Sequence, residues 1–225
     1  MYLVAFVQSI KNILIYCLDY DNLKILENQM REDTMSEIQS LNETLIGQAV
    51  VLKRAKLNKD MAEDIFRVVD KCRDVFLPWL GWVASTVSAD DTWAFLEKSD
   101  KEWTDKEGFV YAVYHQEKFI GLISVLNVAW KHDRAEIGYW LDTDYTGRGF
   151  VSQAISLIEK ELFGKGFNRL VIHTDVMNEK SANVARRKGY THEGILRQEI
   201  FSIAHQRYRD MNVFSKLRAD YQKDA

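Results

Sequence analysis

The segment from Gly138 to Leu162 constrains this chain more than any other feature. Its centre is the heptapeptide Asp144-Tyr145-Thr146-Gly147-Arg148-Gly149-Phe150, which stands between a predicted strand and a predicted amphipathic helix. Glycines let the backbone bend sharply, so that successive amide N–H groups point to one place beside the positive end of the helix. This geometry suits a phosphate group. An ordinary glycine turn is the alternative, and the surrounding sequence decides between the two.

Two nucleotide-binding motifs are excluded by the residues that follow the glycines. A Walker loop needs Gly-Lys-Ser/Thr after its second glycine, whereas Gly149 is followed by Phe150 and Val151. A dinucleotide fingerprint needs a third glycine where this chain has Ser152, and it follows a strand of a parallel sheet. The strands expected before this loop are antiparallel.

The pattern of apolar residues predicts a mixed α/β (α+β) fold. β-Branched and aromatic residues around the polar turn His115 to Lys118 indicate a hairpin, and the next strand, Arg134 to Leu141, places Glu136 and Tyr139 on opposite faces. Other predicted strands are Ala49 to Arg54, Phe109 to Val113, Phe119 to Val128, Leu170 to Thr174, His192 to Arg197 and Arg209 to Leu217. Predicted helices include Phe150 to Phe163 and Glu179 to Lys188.

Composition limits the classes of function. The chain has 225 residues, of which 47% are hydrophobic and 28% charged, as expected for one globular domain. A net charge of -3 provides no basic surface, so we expect no nucleic-acid partner. Two cysteines suit a reducing cytoplasm, and the five scattered histidines lack metal-site spacing, so we expect no metal.

The N-terminus is expected to be an extension outside the core domain. We divide the chain into an N-terminal extension (1–46), a domain (47–219) and a tail (220–225). The apolar run Met1 to Leu18 is interrupted by polar residues and lacks a basic start, which argues against a membrane anchor or signal peptide. A natural start at Met35 is a further hypothesis.

Four groups of residues, in order, match a known pattern. They are Glu136-Ile137-Gly138-Tyr139-Trp140-Leu141, Asn178 to Ser181, Glu193-Gly194 and Asp210. With the glycine loop, they resemble the GNAT N-acetyltransferases, and within these the branch that acetylates N-terminal amines of ribosomal proteins. The resemblance runs from about Ala49 to Leu217. One departure is Asp144, where the family pattern Gln/Arg-x-x-Gly-x-Gly/Ala begins with Gln or Arg.

The resemblance implies a fold and a co-substrate. The fold is a mostly antiparallel central sheet with helices on both faces, splayed at its fourth strand, Arg134 to Leu141. The co-substrate is acetyl-CoA, which enters the splay like an extra strand while the acceptor amine enters from the opposite face. The residues expected to bind acetyl-CoA are Tyr139, Trp140, Leu141, Thr146, Gly147, Arg148, Gly149, Phe150, Val151, Asn178 and Ser181.

The resemblance also implies direct transfer to a neutral amine, with three candidate catalytic residues. Glu136 is the candidate base, its alternative being a paired surface or sheet carboxylate. Ser181 is expected to contact the leaving sulfur; the alternative is that it is an ordinary serine at the start of a helix. Asn178 is likewise a good N-cap for that helix as well as a candidate contact of the pantetheine arm. Glu199 is a weaker base, because the family glutamate position holds Ile200 and a one-residue step reverses the side chain's face unless a bulge re-aims it.

The acceptor is expected to be the N-terminal α-amine of a protein. Its pKa of roughly 7.7–8.0 leaves more neutral amine at pH 7 than a lysine at about 10.4. The alternatives are a small amine such as a polyamine, amino sugar or drug, and a non-catalytic module that binds acyl-CoA. The aromatic segment Phe76 to Val83 is interpreted as core packing, with a substrate wall or a homodimer contact as alternatives.

Overall fold

A computed structural model describes residues 40–224 of the chain. These residues contain eight strands and six α-helices. The hypotheses on Met1 to Leu18 and on Met35 lie outside these residues. The strands are β1 (Thr44–Ile46), β2 (Val51–Arg54), β3 (Phe109–His115), β4 (Lys118–Ala129), β5 (Arg134–Leu141), β6 (Arg169–Asp175), β7 (Thr191–Ser202) and β8 (Arg207–Leu217). The helices are α1 (Lys59–Lys71), α2 (Arg73–Phe76), α3 (Ala89–Asp105), α4 (Phe150–Gly164), α5 (Glu179–Arg187) and α6 (Arg218–Asp224).

The strands form one sheet in the order β1-β2-β3-β4-β5-β6-β8-β7. Every neighbouring pair is antiparallel except β5 and β6, which are parallel. Parallel strands need a crossover connection, which here contains α4. The prediction of a mixed, mostly antiparallel sheet is therefore confirmed.

Apolar side chains lie on both faces of the sheet because its central strands alternate between two cores. On β3, Phe109 and Tyr111 pack in a core with α4 and α5, whereas Val110 and Ala112 pack in a second core with α1 and α3. All four residues are at most 3% exposed. A strand covered on both faces needs helices on both, as predicted.

The splay lies between β5 and β6. Their pairing covers only three residues of each strand and ends at Glu136 opposite Val171. Beyond that point β5 continues to Leu141 without β6 beside it. The splayed strand is fifth in chain order, not fourth, because the three-residue strand β1, too short to give a periodic pattern, precedes it.

The segment Phe76 to Val83 divides between core and surface. Phe76 and Val83 are buried in the core formed with α1 and α3, as the core-packing interpretation expected. Trp82 is 40% exposed and lies against Trp140, with ring centroids 6.3 Å apart. The segment thus supplies both core packing and a partly open aromatic surface next to β5.

Within residues 40–224, no helix is both long and apolar enough to cross a bilayer.

Candidate active site

The glycine loop presents backbone to solvent at the start of α4. Gly147 has a φ of +74° and Gly149 a φ of +79°, and neither has an atom within 4 Å of the place where a Cβ would stand. Within residues 40–224 no side chain caps α4, whose N-cap is Gly149. The first amides of a helix have no partner inside it and carry its positive end. The loop therefore leaves N–H donors available to an anionic ligand.

An ion cluster ties this loop to α1. Lys71 Nζ lies 2.7 Å from Asp142 Oδ1 and 2.5 Å from Asp144 Oδ2. The two carboxylates raise the pKa of Lys71. Asp142 is 1% exposed, and although burial raises its pKa, the hydrogen bonds from Lys71 and from the Asp144 amide, together with the charge of Lys71, give a net lowering. Asp144, the departure from the family pattern, thus has a structural role that the sequence alone did not reveal.

Three of the other residues predicted to bind acetyl-CoA, namely Trp140, Leu141 and Phe150, pack their side chains against the protein. Trp140 packs on Phe76 with ring centroids 5.5 Å apart, and Phe150, 5% exposed, packs on His115 at 4.4 Å. Leu141 is 6% exposed. Arg148 lies over the Phe150 ring, 5.1 Å from its centroid. Trp140, Leu141 and Phe150 therefore offer a ligand mainly their backbone groups. Thr146 and Arg148 are exposed, and Val151 is half-buried.

A hydroxyl pair lies on the side of the splay that faces α5. Tyr139 Oη is 3.0 Å from Ser181 Oγ, so the structure brings together two of the predicted residues. Asn178 caps α5, because its Oδ1 accepts a hydrogen bond from the Ser181 amide at 3.1 Å. Its predicted N-cap role is confirmed. Burial raises the pKa of Tyr139, so this phenol is protonated near neutral pH.

Glu136 lies on the other face of β5, where it has two partners. Its Oε2 accepts a hydrogen bond from Asn127 Nδ2 at 2.9 Å and lies 3.1 Å from His173 Nδ1. Burial raises the pKa of Glu136, but the hydrogen bonds with His173 and Asn127 lower it more, so the net shift is downward. The pKa of His173 is raised, mainly by its hydrogen bond to Glu136.

Sequence reasoning missed His173. Its signal was the alternation of β6, where the buried Leu170 and Ile172 place His173 on the opposite face. Its proximity to Glu136 depends on the parallel pairing of β5 with β6, which no local pattern reveals.

Two further carboxylates, Asp175 on β6 and Glu193 on β7, each have their own cation. Glu193 pairs with Arg169, which, together with a hydrogen bond from Ser215, lowers the pKa of Glu193 to about 2. Asp175 pairs with Arg209 at 3.1 Å, both side chains being 6% exposed. Arg209 also donates to the carbonyl of Pro78 at 2.8 Å. This buried pair joins the aromatic segment to the sheet.

Glu199 lies in a bulge of β7. The register with β8 shifts between Leu196 and Ile200, and Gln198 has a φ of +53°. Glu199 is exposed, and its charge contributes to the raised pKa of His173 after the larger effect of Glu136. The bulge anticipated as a condition for Glu199 is therefore present. The structure gives Glu199 no hydrogen bond to the other predicted catalytic residues among those described.

The described part of the chain contains no group of three or more His, Cys, Asp or Glu residues arranged to hold a metal ion.

Comparisons with known proteins agree with this geometry. Residues 51–191 match the family model described as an acetyltransferase (GNAT) domain. The ribosomal-protein-serine acetyltransferase of Escherichia coli (strain K12) is 27% identical over 154 residues, which cover 68% of this chain and 85% of that protein.

Two solved structures show the same fold. The microcin C7 self-immunity acetyltransferase MccE, in complex with acetyl-CoA and AMP, has a TM-score of 0.74 and 26% identity, covering 79% of this chain and 98% of that one. RimL, a ribosomal L7/L12 α-N-protein acetyltransferase in complex with coenzyme A, has a TM-score of 0.73 and 24% identity, covering 78% of this chain and 98% of that one. With its splayed sheet and the family match over residues 51–191, this chain belongs to the GNAT acetyltransferase family.

Proposed function

We propose that this chain transfers the acetyl group of acetyl-CoA to the N-terminal α-amine of a protein. As a GNAT enzyme it is an acetyl-CoA-dependent N-acetyltransferase. The observation that carries the proposal is the placement of two polar groups on opposite faces of the splay, namely Tyr139 with Ser181 and Glu136 with His173. Tyr139 and Ser181 contact the thioester, and Glu136 and His173 lie on the side of the amine.

The residues present fit acetyl-CoA. The open backbone at Gly147 and Gly149 and the uncapped start of α4 would hold the pyrophosphate. The edge of β5 after Glu136, which β6 leaves free, would pair with the amides of the pantetheine arm. The Nδ2 group of Asn178 has no hydrogen-bond partner within residues 40–224, so it is free to contact the same arm while Oδ1 caps α5.

The chain's own side chains divide the proton transfers between the two faces. Acetyl-CoA supplies a thioester carbonyl that a neutral amine attacks directly. On the acceptor face, the group containing Glu136 removes a proton from the amine, a role that typically contributes roughly 10²–10⁴-fold. On the other face, Ser181 or Tyr139 donates a hydrogen bond to the departing sulfur.

The charges on the acceptor face favour an α-amine over a polyamine. A polyamine site needs several carboxylates without internal partners, because each ammonium group must be paired. Here Glu136, Glu193 and Asp175 each lie beside a cationic or ionisable side chain of the chain itself. That leaves Glu199, which has no ion pair among the described residues and whose charge acts on His173, where a polyamine would need several such carboxylates. The relative from E. coli is named for a ribosomal-protein serine, which also favours a protein N-terminus.

A panel of acceptors tests the proposal. Peptides with free N-terminal serine or alanine, the same peptides with blocked N-termini and an internal lysine, spermidine, and an amino sugar are each incubated with acetyl-CoA, and thiol release is measured. We expect acetylation of the free N-termini and little of the other acceptors. Faster turnover of spermidine or the amino sugar would favour the small-amine alternative. Tight CoA binding without turnover of any amine would favour the non-catalytic module.

The substitution Gly149→Val tests the loop. A β-branched residue at a φ of +79° is strained by about 1–3 kcal/mol. If the loop relaxes this strain by rotating its amides away from the pyrophosphate, CoA binding weakens by about 10-fold or more, as calorimetry would measure. Gly164→Val, which also meets no atom within 4 Å, is the control and is expected to keep wild-type affinity. Equal affinity in both variants would place the pyrophosphate elsewhere.

A further inference from the structure

His173 has the geometry of a base that is held by a carboxylate. Its Nδ1 atom lies 3.1 Å from Glu136 Oε2, while its Nε2 atom has no hydrogen-bond partner within residues 40–224. The side chain of His173 is 30% exposed and that of Glu136 20% exposed. An Nδ1–H donated to the carboxylate fixes the tautomer in which Nε2 carries a free lone pair. That atom is therefore an accessible proton acceptor on the acceptor face.

We propose that His173 Nε2 takes the proton from the acceptor's ammonium group, and that Glu136 positions His173 and stabilises its protonated form. This inference rests on the proposed function, since it needs an amine acceptor. Glu136 alone is a weaker base, because two hydrogen bonds already occupy its Oε2 atom and lower its pKa. An imidazole next to a carboxylate is poised closer to neutral pH, where a general base works best.

The reaction involves two proton transfers, one before and one during acetyl transfer. The acceptor arrives as an ammonium ion, and its first proton moves to His173 Nε2, which leaves a neutral amine and an imidazolium beside the Glu136 carboxylate. The amine nitrogen then forms a bond to the thioester carbonyl carbon while the carbon–sulfur bond breaks. The second proton leaves the nitrogen for the departing sulfur, giving an amide and a thiol. The imidazolium returns its proton to water.

The charged groups around His173 shift its pKa in opposite directions. Glu136 on β5 and Glu199 on β7 favour the protonated imidazole, while Arg169 on β6 disfavours it. Two residues further along the same face of β6, Asp175 is already paired with Arg209 of β8. The balance raises the pKa of His173 above its ordinary value. Because the neutral form is active, kcat falls as the pH falls through this pKa.

The test compares two single variants, His173→Gln and Glu136→Gln, with the wild-type enzyme, using an N-terminal peptide that the wild type accepts. We expect His173→Gln to lower kcat by roughly 100-fold, with an unchanged KM for acetyl-CoA. In Glu136→Gln, the acidic limb of the kcat profile is expected to move to lower pH, because the carboxylate that favours the imidazolium is gone. The peptide's own amine titrates identically in all profiles. NMR titration of His173 in wild type and Glu136→Gln should show the same downward shift.

His205→Gln is the matched control, since His205 lies in the exposed turn between β7 and β8. It is expected to keep wild-type kcat and pH profile. Wild-type kcat and pH profile in His173→Gln would overturn this inference alone, whereas failure of the wild type to acetylate any amine would overturn the proposed function and the inference together. If His173→Gln does not fold, the Glu136→Gln profile decides: an unmoved acidic limb and an unmoved His173 pKa would refute the role.

Discussion

Replacing Glu136 with glutamine is expected to lower kcat by roughly 100-fold, because the base His173 then loses the carboxylate that positions it and most of the base's contribution with it. The amide occupies nearly the same volume and can still accept the hydrogen bond from Asn127, so the fold should be retained. What disappears is the negative charge beside His173, and with it the stabilisation of a protonated base. Initial rates at pH 7.5 with a saturating peptide, together with thermal unfolding, measure the effect.

Glu193→Gln is the control for this substitution. Glu193 is a second carboxylate with an ionic partner, Arg169, and its pKa of about 2 keeps it charged at every pH used in the assay. The same chemical change there removes a partly exposed ion pair, which contributes about 0–1 kcal/mol to stability. We expect unchanged kcat. Equal loss of activity in both variants, or none in Glu136→Gln, would remove Glu136 from the reaction.

The second large effect is expected at Gly121, the fourth residue of β4. Gly121 has a φ of +151°, and a Cβ at this position would stand 2.2 Å from the carbonyl oxygen of Trp140 and 2.8 Å from Leu141 Cα. Backbone atoms of a paired strand cannot move aside as a flexible side chain can. Gly121→Ala is therefore expected to lower the free energy of unfolding by about 3–5 kcal/mol, from backbone strain and overpacking combined.

Denaturation with urea compares this variant with Gly164→Ala. Gly164 is the last residue of α4, and a Cβ there meets no atom within 4 Å. Because alanine is the better helix former by up to about 1 kcal/mol, this control should be neutral or slightly more stable. If Gly121→Ala proved as stable as wild type, the close approach of β4 to β5 at Leu141 would be wrong, and so would the position of β5 at the start of the glycine loop.

Local patterns in the sequence predicted most of the elements because each pattern is written in consecutive residues. The alternation of Arg134 to Leu141 predicted β5 with the bounds that the structure has, and the apolar stripe of Phe150 to Phe163 predicted α4 to within one residue. The two-residue period of β5 correctly placed Glu136 and Tyr139, which are three residues apart, on opposite faces. Strand β1 was missed because three residues are too few to show a period.

The glycine loop, the family resemblance and the opposite faces of β5 were thus determined by the sequence itself, since backbone conformation and strand alternation depend on near neighbours. Only the tertiary structure brought His173 close to Glu136, 37 residues away in the sequence. The same holds for Lys71 and Asp144, which are 73 residues apart. These contacts depend on the parallel pairing of β5 with β6 and on how α1 packs against the sheet. Such long-range geometry leaves no periodic trace in the sequence, because a side chain's partner is set by where a distant strand or helix lies.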